Sequence, residues 1–371
     1  MDIYIKKVSA KSDMKKFRGF PYKLYKGNAF WCPPMRRYEK KTLSPKHNPA
    51  FEFCESEYWL AWKKKKLVGR IAGIINYKAN ERWNEKMVRF GWIDFVDDPE
   101  VSRLLIEVVM EWGRSKGMTT IQGPLGFSIM DNEGMLIKGF DELGTMGSIY
   151  NFPYYPIHME KLGFQKSTDW IQFKIEVIPI PEKVEKMANL IQEKYNIHPL
   201  KVRKAKELIP YTERFWNLFN LSFRDLYGFT ELTKKQIDVY TKQYFPYINP
   251  DYVCFLVNDK DELVGFGISF PSLTRALQKC NGRLFPTGFI HLLNALKKTD
   301  IIDMDMNGVH PDYRRKGVVA IYHLEIHKGY IRNNVRKLVT NPQLDGKAAS
   351  QMWKMYNGRQ HITHRCWIKQ L

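Results

Sequence analysis

Apolar and polar positions along this chain run through two similar rounds. In the first, residues 58–62 are apolar with the character of a short strand, and the lysine run 63–66 reads as a charged turn. Residues 67–75 continue as an apolar strand interrupted by Gly69 and Gly73, and 90–95 form another short strand. Between 100 and 116, apolar side chains recur at 101, 104, 105, 108, 109 and 112, the spacing of one helix face, and Gly117 ends the pattern. Residues 119–122 then return to strand character.

The second round keeps this order. Residues 252–257 predict a strand, Asn258-Asp259-Lys260-Asp261 a hairpin turn, and 263–270 its partner. A strand over 301–309, a helix over 318–331 and a strand over 337–340 follow. Between the rounds lie Ile178-Pro179-Ile180-Pro181 and a helical segment, 182–195. The expectation is a mixed α/β protein of two copies of one architecture, 1–178 and 179–371, joined around 178–210. The stripe Phe215, Leu218, Phe219, Ser222, Phe223 predicts a helix within 210–227 whose aromatics are core.

A length of 371 residues exceeds what one hydrophobic core ordinarily serves, which agrees with two domains. The start of the chain lacks the apolar core of a signal peptide, and no apolar run approaches a bilayer span. The expectation is a soluble cytoplasmic protein, a monomer or weak homodimer without membrane insertion. Five scattered cysteines (Cys32, Cys54, Cys254, Cys280, Cys366) suggest reduced thiols. Nine histidines form no ligand motif; His323 and His327 are four apart, but the residues between them do not make a zinc pattern, so no metal is expected. The formal charge of +20 favours phosphates, an acidic carrier protein, RNA such as tRNA, or anionic lipid heads. The basic residues are dispersed, which favours a small anionic ligand or an acidic partner over dedicated nucleic-acid recognition.

The most informative segment is Gly308-Val309-His310-Pro311-Asp312-Tyr313-Arg314-Arg315-Lys316-Gly317-Val318-Val319. A glycine-containing turn from strand to helix presents backbone N–H groups without internal partners, and the helix dipole adds positive potential. Such a turn fits a pyrophosphate. The competing reading is a plain Pro-Asp turn followed by a solvated basic face.

Residues 309–319 resemble the acetyl-CoA signature of the GCN5-related N-acetyltransferases (GNAT), Val-x-Pro-x-x-Arg-Gly-x-Gly-x-Gly/Ala. Glu160-Lys161-Leu162-Gly163-Phe164, before a strand at 170–175, resembles the family's helix-to-strand ending. The whole chain is similar to tandem proteins of this fold, most of all to a bacterial group with a Gly-Pro-x-x-Phe-Ser-x-x-Asp/Asn-Glu-x-Gly segment in its first half. The resemblance implies two GNAT-like domains, each a mixed sheet flanked by helices, and acetyl-CoA or another acyl-CoA as substrate. By that resemblance Met306, Gly308 and Val309 carry the pantetheine, and Arg314, Arg315, Lys316, Gly317, Val318 and Val319 hold the pyrophosphate. Arg315 stands where glycine is usual, and Val319 where glycine or alanine is usual. The first half has Val96-Asp97-Asp98-Pro99-Glu100 at the matching place, three carboxylates that repel phosphate, and residues 97 and 98 read as helix-start residues.

The family's thiolate-protonating tyrosine is replaced here by Trp353, whose indole cannot serve. Tyr356 is the candidate substitute. Asp303 and Asp305 are candidate bases for an amine, on one strand face by alternation. In the first half, Gly123 to Pro156 reads as a long shaped loop whose Ser128, Asp131, Glu133, Asn151 and Tyr155 line a pocket or cap their own backbone. The expected activity is acyl transfer to a primary amine of a small molecule or peptide. Two further readings stay open: an aminoacyl-tRNA-dependent transferase, and a non-catalytic acyl-CoA-binding regulator.

Overall fold

The structure, a computed structural model, describes residues 3–347, 350 and 352–371. Fourteen strands are described: β1 (Ile3–Lys7), β2 (Cys54–Lys63), β3 (Lys66–Asn76), β4 (Met87–Phe95), β5 (Thr120–Gly123), β6 (Met135–Lys138), β7 (Gln165–Glu176), β8 (Ile197–Pro199), β9 (Val253–Asn258), β10 (Leu263–Pro271), β11 (Ile301–Val309), β12 (Lys337–Thr340), β13 (Gln343–Leu344) and β14 (Arg359–Gln370). They form one sheet in the order β1-β2-β3-β4-β5-β14-β7-β12-β11-β10-β9-β8, with β6 on β14 and β13 on β7.

The two rounds read from the sequence are present in this sheet. Strands β2, β3 and β4 run antiparallel, and helix Pro99–Ser115 carries the chain across to β5, parallel to β4. Strands β9, β10 and β11 repeat that arrangement, with helix Val319–Arg332 leading to β12, parallel to β11. A parallel neighbour needs such a crossover, and the apolar stripe on each helix covers the sheet it crosses. Val101, Leu105 and Val109 are buried in the first core, and Ile321, Tyr322 and Ile326 in the second. The lysine run does form a two-residue turn, with Lys64 and Lys65 at φ of 46° and 64°. Positive φ suits the primed turns that match strand twist, but asparagine or glycine reaches it with less strain than lysine.

The middle of the sheet is exchanged between the halves. The last strand, β14, enters between β5 and β7, pairing Trp367 with Gly123 and Arg365 with Asp169. Its Trp367 is buried among Phe90, Ile121 and Phe164 of the first core. Strand β7 in turn pairs with β12, and its Ile171, Phe173 and Ile175 belong to the second core with Ile302 and Leu338. Each half therefore buries apolar surface supplied by the other.

Candidate functional site

Strand β11 positions the site. It pairs in parallel with β12 from Ile301 to Met304, and the last main-chain bond between the two segments is Asn341 N–H to Met304 O at 2.9 Å. Beyond it, β11 is paired on β10 alone, through Met306 to Val309. The register against β10 slips at Ile268/Ser269, so Asp305 is the extra, bulged residue. The expectation that alternation keeps Asp303 and Asp305 equivalent is corrected by this bulge. Asp305 lines a cavity of about 850 Å³, whereas Asp303 is absent from its wall. Burial raises both carboxyls, Asp305 to about 6, opposed by a hydrogen bond from Asn341, and Asp303 to about 7. Asn341 Nδ2 reaches Asp305 Oδ1 at 3.0 Å; Asp303 Oδ1 is buried without a partner among the described residues.

Both halves build the cavity. Trp92, Glu133 and Tyr155 come from the first, and Phe219, Tyr244 and Asp305 from the second. Of the loop residues expected to line a pocket, Asp131, Glu133, Asn151 and Tyr155 do so, while Ser128 does not. Several of them are also occupied in holding the fold. Asp131 Oδ2 accepts from the N–H groups of Phe127 and Ser128 at 2.8 and 3.2 Å. Asn151 bonds both main-chain groups of Leu136, and the Tyr155 hydroxyl accepts from Phe95 N–H at 2.9 Å. Ser128 Oγ meets the Tyr240 hydroxyl at 3.2 Å. Glu133 differs: no hydrogen bond to its carboxyl is found among the described residues, and burial raises it to about 7 against the pull of Arg89.

The strand-to-helix turn at 310–319 leaves several backbone N–H groups without a partner among the described residues. His310 caps the short turn Pro311–Tyr313, and the long helix starts at Val319. The N–H groups of Arg315, Gly317, Val318 and Val319 donate to no group among the described residues. Arg315, Lys316 and Gly317 are exposed. Arg315 has φ of 62°, which explains why a glycine is at home there: a side chain in the left-handed region costs about 1–2 kcal/mol. Gly317 has φ of 75°, and a Cβ on it would meet Ile191 Cδ1 of helix Glu182–Tyr195 at 2.7 Å. Lys316 Nζ lies 4.9 and 5.3 Å from the ring centres of Tyr313 and Tyr195. Arg314 donates to Ser222 O at 2.8 Å and faces Asp225 at 3.3 Å.

The equivalent place in the first half is closed. Leu125 N–H bonds Phe90 O at 2.9 Å, and the Leu125 carbonyl comes so near Gly91 that a Cβ there would sit 2.4 Å away. No slot separates the backbones beyond Arg89. Asp98 caps helix Pro99–Ser115 through Glu100 N–H at 3.0 Å, as its helix-start character suggested, while Asp97 meets His158 Nε2 at 3.0 Å.

Tyr356 is not in the cavity wall. It packs in the second core, its ring 5.7 Å from His323 and 5.9 Å from Trp353, and burial raises its hydroxyl. His323 stacks on Trp353 at 5.3 Å, and burial lowers it to about 4. His327 bonds Ile178 O at 2.7 Å instead of facing a shared ligand. No group of three potential metal ligands occurs among the described residues. Composition did not single out Arg89 and Asn341, because each is an isolated polar residue, the first within β4 and the second just after β12. Only the splay of β11 from β12 and the fold of the 123–156 loop bring them to the cavity.

No family model matches this chain. Protein YghO of Escherichia coli K12 is 29% identical over 310 residues, spanning 82% of this chain and 78% of its own length. A bacterial ceramide synthase of Caulobacter vibrioides is 27% identical over 301 residues, 80% of this chain and 77% of its own. A tandem GNAT protein from the clavulanic acid biosynthesis pathway matches in structure over 100% of this chain and 98% of its own, with a TM-score of 0.56 at 12% identity. The fold is GNAT-like: a mixed α/β architecture with a central sheet flanked by helices.

Proposed function

We propose that this chain is an N-acyltransferase that moves an acyl group from an acyl-CoA to a primary amine held in the cavity between its halves. The observation that carries this reading is the continuity of strand β11. It has a carboxylate at its bulge on the cavity wall, an edge free of β12 from Met306 to Val309, and unpartnered amides at its end. From Asp305 to Val309 the strand spans about 13 Å, a distance an extended amide-bearing arm can follow by pairing with the edge. Met306, Gly308 and Val309 would carry that arm, and residues 314–319 its pyrophosphate. The second half thus binds the donor, and the first half, with no equivalent slot, shapes the acceptor side.

The thioester arrives activated, so the protein has to hold the two reactants together and manage the two protons that leave nitrogen. Asp305, oriented by Asn341, takes a proton from the ammonium form of the acceptor, and Glu133 is a second carboxyl in the wall, without a hydrogen bond among the described residues. The amine nitrogen then bonds to the thioester carbon, the carbon–sulfur bond breaks, and the second nitrogen proton passes to the departing thiolate, so that amide and free thiol are released.

The named relative from Caulobacter points to the acceptor. A ceramide is an amide of a fatty acid with a long-chain amino alcohol, so its synthesis is the same bond-forming step. The cavity suits such an acceptor: its volume falls within the roughly 300–1,000 Å³ of small-molecule sites, and Trp31, Trp92, Trp170, Phe219, Phe223 and Met306 contribute apolar wall. The reading is tested by incubating the protein with acetyl- or palmitoyl-CoA and either sphinganine or short primary amines, following free thiol and amide product together. Amide formation that needs the long-chain amine is expected; no thiol release with any donor, or transfer only from aminoacyl-tRNA, would overturn it.

A further inference from the structure

We propose that the helical hairpin made by Thr274–Cys280 and Gly288–Lys297 docks this protein on an anionic lipid surface. Four large apolar side chains project from it. Phe285, in the turn between the helices, is 72% exposed, and Phe289, Ile290 and Leu293 are 41%, 46% and 51% exposed. Residues 289, 290 and 293 share one helix face, and the Phe285 ring lies 6.0 Å from that of Phe289. The opposite side already has its partner, since Leu292 is buried with Leu277, Leu273 and Met35. The outward face therefore has no role in the core.

The charge around it selects the partner. From 274 to 299 the sequence has five lysines and arginines and no aspartate or glutamate. All five, Arg275, Lys279, Arg283, Lys297 and Lys298, are exposed. Helix Arg36–Thr42 is fastened alongside, with Arg36 N–H and Nε bonding the carbonyls of Gly282 and Asn281, both at 3.0 Å. It adds exposed Arg37, Lys40 and Lys41, and its one acid, Glu39, is buried against Arg70. An apolar knob ringed by cations, with no exposed carboxylate in either segment, matches the acyl boundary and anionic headgroups of a bilayer. No helix among the described residues is long and apolar enough to cross a membrane, so the contact is interfacial. Arg37, Tyr38 and Lys41 also line the cavity, which places the docked face next to its wall.

This inference goes beyond the acyl-transfer reading and stands without it, because its test reads no activity. The purified protein is sedimented with phosphatidylcholine vesicles, with and without phosphatidylglycerol as about a third of the lipid. Wild type should partition at least tenfold more onto the anionic vesicles, with the difference shrinking as salt rises. The triple variant Phe285→Ser/Phe289→Ser/Leu293→Ser should lose about tenfold or more of that binding, and its exposed positions should leave the thermal melt unchanged. Arg283→Glu/Lys297→Glu should lose as much, and it carries the test if the triple variant does not fold. Lys183→Glu/Lys186→Glu, on another exposed helix, should bind like wild type. No sedimentation of wild type, or both hairpin variants binding as well as wild type, would overturn the proposal. So would a wild-type dimer in solution that the triple variant splits, since a second copy would then cover the face.

Discussion

Asn341 Nδ2 donates to both the carbonyl oxygen and Oδ1 of Asp305, at 2.8 and 3.0 Å, at the point where β11 and β12 part. One side chain thus fixes the bulge and orients the carboxylate on the cavity wall. If Asp305 is the base, Asp305→Asn should lower kcat roughly a hundredfold or more, the lower end of general-base effects. In wild type, kcat/KM should rise with pH through about 6 to 7, where Asp305 and Glu133 lose their protons. That rise should change shape in Asp305→Asn and persist in Asn341→Ala at reduced height. A pH-rate profile of the three proteins checks this.

Asp303 supplies a stability prediction. Its carboxyl is raised to about 7 from an ordinary value near 3.8, with burial as the main cause. The folded state therefore holds a proton that the unfolded chain releases, and stability from this site falls as pH rises from about 4 to about 7. Asp303→Asn should stabilise the protein at pH 8 by on the order of 1–3 kcal/mol and have little effect near pH 4. Urea unfolding at the two pH values measures the difference, and a gain that does not grow with pH would count against it.

Because Tyr356 packs against His323 and Trp353 and does not line the cavity, Tyr356→Phe should reduce kcat less than about threefold. A loss near a hundredfold would restore the proton-donor role that the family resemblance implied. Steady-state kinetics beside a thermal melt separates that outcome from damage to the core.

The strand exchange predicts how the halves behave when separated. A chain of residues 1–178 lacks Trp367, which the first core buries, and 179–371 lacks Phe173, which the second core buries. Each fragment should be poorly soluble or unfolded alone, and the two should recover native circular dichroism only together. Independent cooperative melts of both fragments would contradict the exchange.

Much of the fold was legible because periodicity and burial agree. The strand at 301–309, the helix at 182–195 and the strand at 337–340 match the structure residue for residue. Strand β14 was not legible: its buried positions include His361, Thr363 and His364, polar residues that read as surface until β6 and β7 pair along this part of the strand. The strand-to-helix turn after β11 could be read from its glycine and its Pro-Asp pair, but the left-handed backbone of Arg315 could not. Asp303 and Asp305 were visible as residue types, yet which of them lines the cavity depended on a one-residue bulge that no hydrophobic pattern encodes.

Calorimetric titration with coenzyme A tests the central claim most directly. Wild type should bind one equivalent, Arg314→Glu and Arg315→Glu should each weaken binding tenfold or more, and Arg103→Glu should not change it. Arg103 belongs to the closed first half and is paired there with Glu100 and Glu107. No binding by wild type, or binding lost in Arg103→Glu and kept in both loop variants, would contradict the account.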